Sequence, residues 1–395
     1  MMLVLMIISL PSLEAPKNYF LVGYLLARLI SEAVQYKEGV KLWGTWDTLF
    51  ATIVFTALLS TLFSGFTELD EWRGYGVLLT SILTGWFISR THYTNIQYQL
   101  LFKIIVLSTL PPLIWGLYEY FVIHSKTSLE IHSVGHVNHS AIYLAIISGS
   151  SLAWFLSQID AEKKITSGWQ PILIGTLSFV FLMSLIIGLS RGAFGIAALL
   201  SIILFLLLPK KKNVKILGVM SILSIFIFML VFNAPIAQKQ ITNQKNNNML
   251  AFRDRVWNVS LEASRLHPFL GIGIGNWKFI NYDHLKKLVE ERGETFDSDR
   301  YFFPGHSHNL YLTALVERGI LGLTVTIIFM VAWIRQLIKT FRWAKKSNET
   351  IYLWAGSFSA WFCTFGIGLV NTTFHHEHGI LACLFLGLYL SYKKI

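Results

Sequence analysis

The sequence predicts an all-α polytopic integral membrane protein of about 12 transmembrane helices, with one long hydrophilic segment between the ninth and the tenth. Three observations predict it. The 395 residues are 54% hydrophobic and only 14% charged, whereas water-soluble chains carry about a quarter charged residues. Apolar runs long enough for about 30 Å of hydrocarbon recur along nearly the whole chain. Basic residues alternate between rich and poor loops, as they do in helical membrane proteins.

The spans are expected near 2–11, 17–33, 46–64, 73–89, 99–122, 139–157, 170–188, 191–208, 214–233, 309–338, 350–371 and 377–392. The first is short and lacks the basic flank of a signal peptide, so it reads as a membrane helix rather than a cleaved leader. Pro111-Pro112 should kink the fifth span. Ser190-Arg191 should divide the seventh from the eighth. This gives three regions: 1–233 with about nine transmembrane helices, 234–308 as a polar loop with amphipathic helices, and 309–395 with about three more.

One set of loops holds Lys37, Lys41, Arg90, Lys163, Lys164, Lys210, Lys211, Lys212, Lys215, Lys339, Arg342, Lys345, Lys346, Lys393 and Lys394. The alternate set holds only Lys17, Arg73, Lys126 and Arg191. The excess puts the first set and both termini in the cytoplasm, and segment 234–308 on the far side. The net charge of +11 is therefore largely topogenic and does not call for nucleic acid. Cys363 and Cys383 both fall in apolar runs, so no structural disulfide is expected. There is no Gly-x-x-x-x-Gly-Lys phosphate loop, so the energy for any chemistry must come with the substrate.

The far face gathers the polar residues that carry chemistry. In His306-Ser307-His308-Asn309-Leu310-Tyr311 a histidine loop turns into a long apolar helix. Asn309 or Ser307 can cap that helix, which puts the His308 ring at its positive end. The field there favours a neutral imidazole able to accept a proton. Taken alone, such a histidine reads better as a solvated interfacial residue. What sharpens it is the sequel: nine residues on, Gly319-Ile320-Leu321-Gly322, with Glu317-Arg318 just before. Glycines three apart read as a close helix contact, and the Glu-Arg pair as structural.

Arg191 stands nearly alone on the far side, against the topogenic trend. It suits a phosphate as well as a lipid headgroup. Arg253 and Arg255 begin a stretch whose apolar spacing, Val256 to Leu261 to Leu266, suggests a helix lying on the membrane. Gly135-His136-Val137-Asn138-His139-Ser140 repeats the device of imidazole and amide groups at a helix start, where an anion fits. Trp277, Tyr282, Tyr301, Phe302 and Phe303 read as an interfacial belt or as sugar-stacking rings. Glu68-Leu69-Asp70-Glu71, Asp297-Ser298-Asp299 and the run His375-His376-Glu377-His378 offer metal-type ligands, but their spacing suits solvated turns better. No metal is expected.

With these residues the chain resembles the O-antigen ligase superfamily: lipopolysaccharide O-antigen ligases, O-antigen polymerases and bacterial protein O-oligosaccharyltransferases. The resemblance rests on His308-Asn309 with Gly319-x-x-Gly322, on Leu266-His267-Pro268-Phe269-Leu270-Gly271-Ile272-Gly273, on Arg253 to Trp257, and on Ser190-Arg191-Gly192. It covers about 140–370. It implies a glycosyltransferase-C-like fold whose long loop is periplasmic, in the bacterial inner membrane. The donor is a glycan on undecaprenyl pyrophosphate, and neither metal nor nucleotide cofactor is used. The acceptor is the lipid A-core oligosaccharide for a ligase.

On that resemblance the catalytic candidates are His308 as base, Arg191 and Arg253 on the pyrophosphate, and Arg255 as the rival of Arg253. Asn309, Tyr311, His136, Asn138, His139 and Trp277 become substrate contacts, and Glu317, Gly319 and Gly322 a structural motif. The absence of an extra C-terminal domain favours a ligase over a protein oligosaccharyltransferase. Polymerase remains the alternative within the superfamily. A lipid-linked glycan transporter is the alternative outside it, though its ionisable groups should lie on both sides of the midplane.

Overall fold

The computed structural model describes residues 1–37, 43–64, 70–131, 134–159, 169–231, 235–245 and 251–393. Lys41, Lys163, Lys164 and Lys394 of the basic set, and Glu68 and Leu69 of the acidic turn, lie outside the described residues. All regular structure among the described residues is helical. The first half runs α1 Met2–Ser9, α2 Glu14–Lys37, α3 Thr45–Leu62, α4 Asp70–Ser89, α5 Asn95–Leu107, α6 Leu110–Tyr118, α7 Val137–Ile159, α8 Gln170–Ile187, α9 Arg191–Leu207 and α10 Lys212–Val231. The cap segment carries α11 Pro235–Lys245, α12 Arg253–Ala263 and α13 Tyr282–Glu290. The chain closes with α14 Leu310–Ala344, α15 Asn348–Ile367 and α16 His376–Lys393.

Six helices among the described residues are long and apolar enough to cross a membrane: α3, α5 continuing through α6 to Ile123, α7, α8, α10 and α14. Helix α9 is apolar but shorter, at 17 residues. Helices α2, α4, α15 and α16 are as long but less apolar. Helix α2 carries Glu14, Lys17, Arg28 and Glu32, α4 Asp70, Glu71 and Arg73, and α16 Glu377, while α15 is interspersed with Ser, Trp, Tyr and Gly. All of these long helices enter one apolar core. The protein is an all-α membrane protein.

The centre of the bundle is α7, packed against α8, α9, α15 and α16. Its sequence is apolar or small on every face, which suits a helix buried all round. Close packing uses small residues elsewhere too. A Cβ on Gly387 would lie 2.7 Å from the Gly85 carbonyl, so α4 and α16 touch almost backbone to backbone. Pro111 and Pro112 sit in the first turn of α6, so the break falls just before them, at Ser108-Thr109. Ser190 ends the turn between α8 and α9, with Leu189 in a left-handed conformation at φ 52°. The two cysteines are buried free thiols.

At the end of the bundle away from the cap, Arg90 binds Glu32 and Asp47, each at 2.7 Å, and Trp86 donates to Asp47 at 2.7 Å. Arg90 is thus a structural ion-pair residue as well as part of the basic set. At the cap end, Lys17 of α2 pairs with Glu377 of α16, both about 5% exposed.

The cap has its own core: Val256, Val259, Ala263, Ile272, Trp277, Ile280, Leu285 and Tyr301, closed from below by Val316 of α14. Two expectations change here. Leu261 is 49% exposed, so α12 turns Val256 and Val259 into the cap rather than laying the 256–261–266 stripe on a membrane. Trp277 is 1% exposed with its indole donating to Ser260 Oγ at 3.1 Å; it is a core ring and does not face a sugar.

Helix α14 is interrupted. Gly319 takes φ 65° and ψ −169°, so the turns before and after it are separate helical pieces. The segment His267–Gly275 fills the gap. Ile272 N–H donates to Val316 O at 2.9 Å and Gly273 N–H to Glu317 O at 3.0 Å, while Ile320 N–H donates to Pro268 O at 2.8 Å. Ser60 Oγ of α3 donates to the Glu317 carbonyl at 2.8 Å. A broken helix inside a bilayer leaves backbone groups that each cost several kcal/mol if unpaired, and the inserted loop pairs them. The expected role of Gly319 and Gly322 as a helix–helix contact is corrected. Gly319 opens the helix for a loop, and a Cβ on Gly322 would meet the Arg318 side chain of its own helix at 2.2 Å.

Candidate active site

The cap end of the bundle collects the N-termini of α4, α7, α9, α12, α14 and α16. Seven of the predicted residues meet there: His308, Asn309, Arg191, Arg253, His136, Asn138 and His139. His308 is held from both sides. Asn309 caps α14, its Oδ1 accepting from Tyr311 N–H at 2.9 Å and Leu312 N–H at 3.0 Å. Its Nδ2 donates to the Leu369 carbonyl at 2.9 Å, and Leu310 N–H donates to Gly368 O at 2.8 Å. The start of α14 is therefore tied to the end of α15. His308 itself takes φ 50°, a strained conformation for a side-chain-bearing residue, of the kind that clusters at functional sites.

The His308 ring lies 4.0 Å, centroid to centroid, from that of His306, and shares a hydrogen bond with the Asn371 side chain. Its Nδ1 has no hydrogen-bond partner among the described residues. Burial, then His306 and the Arg253 charge, push the imidazole down to about 4. It is neutral at pH 7. Burial and then His136 likewise lower His306.

Arg253 is the first residue of α12, reached through two consecutive left-handed residues, Ala251 at φ 51° and Phe252 at φ 60°. Its guanidinium is destabilised by burial and then by the charge of Arg191. Arg255 lies instead over the Phe252 ring, 5.2 Å from its centroid. Of the two rivals, Arg253 is the one whose charge reaches both Arg191 and His308.

The start of α7 braces the arginine turn. Ser190 Oγ donates to Asn138 Oδ1 at 3.3 Å, and Asn138 N–H donates to His136 Nδ1 at 3.2 Å. Asn138 and Asn309 thus position their neighbours through the backbone and side-chain bonds just given. Tyr311, expected at the substrate, turns into the bundle, where its hydroxyl donates to the Phe365 carbonyl at 3.0 Å.

Beside His308 opens a cleft of about 450 Å³. His136, His139 and His306 line it, together with Arg73 of α4, Lys278, His375, His376, Thr313 and Glu317. Sequence reasoning left most of these unassigned, because Arg73 and Lys278 come from distant loops and no local spacing links them to His308. Asn371 was missed for the same reason.

The acidic groups weighed as metal ligands have other partners. Asp70 pairs with Lys278, and Glu71 accepts from Asn276 Nδ2 at 3.4 Å. Asp297 accepts the Asp299 N–H at 3.0 Å in a turn, and Glu377 is held by Lys17. The rings of His139 and His378 lie 5.2 Å apart, those of His139 and His376 5.4 Å. Among the described residues, no group of three or more His, Cys, Asp or Glu side chains converges as a metal site.

A polytopic helical membrane protein with a neutral histidine and crowded arginines at one end is suited to handling a lipid-linked anion. Residues 176–327 of the chain match the family described as O-antigen ligase. Members are glycosyltransferase-like ligases and polymerases. The matched stretch contains Arg191, Arg253, the 267–275 loop, His308 and Gly319, while His136, His139 and Asn371 fall outside it. A search of curated proteins gave no match.

Proposed function

We propose that this protein is an O-antigen ligase, passing an O-antigen glycan from undecaprenyl pyrophosphate to a sugar hydroxyl of the lipid A-core oligosaccharide. The observation that carries the reading is one neutral histidine that feels the charge of Arg253, itself crowded by Arg191, all at helix N-termini. In this reading the bundle has about 12 spans in the bacterial inner membrane. The cap, about 234–308, and the cleft are periplasmic, and both termini are cytoplasmic.

The acceptor oxygen attacks the anomeric carbon while its proton passes to Nδ1 of His308. The bond from that carbon to the pyrophosphate oxygen breaks, the electron pair staying on the pyrophosphate. Displacement from opposite faces inverts the anomeric configuration. Arg191 and Arg253 take up the developing charge, and their forked donors match a pyrophosphate better than a lysine would. Two guanidiniums that repel each other gain by receiving an anion between them. The same anion offsets the Arg253 charge that depresses His308, so the base strengthens when the donor is bound. No metal or nucleotide takes part.

The test is transfer by the purified protein in detergent, with undecaprenyl pyrophosphate-linked glycan and several acceptors, in the presence of EDTA. Capped lipid A-core is expected, and His308→Ala should lower the rate by about 10²-fold or more. Glycan lengthening without capping of the core would make the protein a polymerase. Movement of donor across vesicles without any transfer would make it a transporter.

A further inference from the structure

We infer that Arg73 and Lys278 form a second oxyanion subsite, which holds a negatively charged group of the acceptor glycan; the inference rests on the ligase reading. The cleft beside His308 is not lined by Arg191 or Arg253. It borders His308 through His136, His139 and His306, which line the cleft and interact electrostatically with that ring. The arginine pair and the cleft are therefore separate surroundings that both adjoin the base. A substrate whose hydroxyl sits at His308 and whose remaining sugars need space has this cleft to enter, and about 450 Å³ falls within the usual range for a ligand pocket.

The cleft brings its own cations. Lys278 is paired with Asp70. Arg73 is exposed, has no ion-pair partner among the described residues, and reaches His376 on the facing helix with its charge. The other acid on the wall, Glu317, accepts the Gly275 N–H and lies beside Arg318. One uncompensated guanidinium with a lysine in the same wall is a seat for a phosphate or carboxylate. On the acceptor such a group is a sugar phosphate or an acidic sugar. A phosphate of a membrane lipid has the same chemistry.

The experiment compares wild type, Arg73→Gln, Arg73→Lys and Lys278→Gln in detergent. The acceptors are intact lipid A-core and the same glycan stripped of its phosphates and carboxylates. For Arg73→Gln, KM for intact acceptor should rise about tenfold or more, with kcat and donor KM unchanged. Arg73→Lys should recover part of the loss, and the stripped acceptor should show no difference between variant and wild type. Equal losses with both acceptors, or no loss with either, would overturn the subsite. So would a loss that appears only in vesicles containing anionic lipid, which would assign the cations to headgroups. If wild type itself transfers to neither acceptor, the ligase reading has failed, and that result is separate from the variant comparison.

Discussion

Gly319 and Phe269 meet where a membrane helix has been opened to admit a loop: a Cβ on Gly319 would lie 2.2 Å from the Phe269 carbonyl oxygen. The reciprocal contact is as tight, since a Cβ on Gly271 would lie 2.3 Å from the Glu317 carbonyl carbon. Two glycine motifs far apart in the chain are one joint.

Gly319→Ala should therefore destabilise the protein severely. Both the positive φ of 65° and the collision act against it. The backbone strain alone is worth about 1–3 kcal/mol. Thermal unfolding in detergent should show a clear drop, or the variant should fail to accumulate. Gly293→Ala, also at positive φ but in open space, should cost less. Equal losses for the two would remove the joint as the cause.

His308 sets a pH signature. With its affinity depressed to about 4, the ring stays basic where an ordinary histidine would be charged. In kcat/KM, which reports the free enzyme, transfer should persist at pH 5 and fall only as pH approaches 4. The bend in kcat should lie higher, because bound donor offsets the Arg253 charge. The stability sign follows from the same shift. The unfolded chain takes up the proton first, so this residue's contribution declines as pH falls through about 6.5 and levels off below about 4. A kcat/KM profile that bends at pH 6 to 7 and moves with His308→Gln would contradict this.

Arg253→Lys and Arg255→Lys should separate cleanly. The first changes a guanidinium that senses Arg191 and His308, the second one that covers Phe252. Loss of forked pyrophosphate binding should lower kcat/KM for the donor about tenfold or more in Arg253→Lys. Arg255→Lys should stay within about threefold, since a solvent-side cation–π contact is worth about 0.5–1 kcal/mol. Steady-state kinetics with donor varied would decide it, and a reversed order would exchange their roles.

Lys17→Met should leave Glu377 buried without its partner. Breaking a buried pair from one side costs about 3–5 kcal/mol. The double variant Lys17→Met with Glu377→Gln should regain a large part of that loss. Melting temperatures of the three proteins test it, and additive losses would mean the two residues act separately.

The helical class was legible because apolar length and basic asymmetry are local properties of the chain. His308, Asn309 and Arg191 stood out because each is polar where an apolar helix begins or topogenic charge is scarce, whereas Arg253, in a polar segment, stood out by the resemblance. The joint was not legible. Gly319-x-x-Gly322 has the spacing of a helix contact, and only the inserted 267–275 backbone turns the first glycine into a break. Trp277 and Leu261 were misplaced for a related reason: the cap has a private core, and one-dimensional periodicity does not say which apolar surface a helix faces. Arg73, Lys278 and Asn371 join the site purely through tertiary proximity.

The joint also fixes what can be exchanged between relatives. A graft of the cap that stops at residue 308 would carry a loop shaped for a different gap, while the gap in α14 stayed behind. Chimeras that keep their fold should carry 267–275 and 310–322 together, as inseparable halves of a lock and its keyhole.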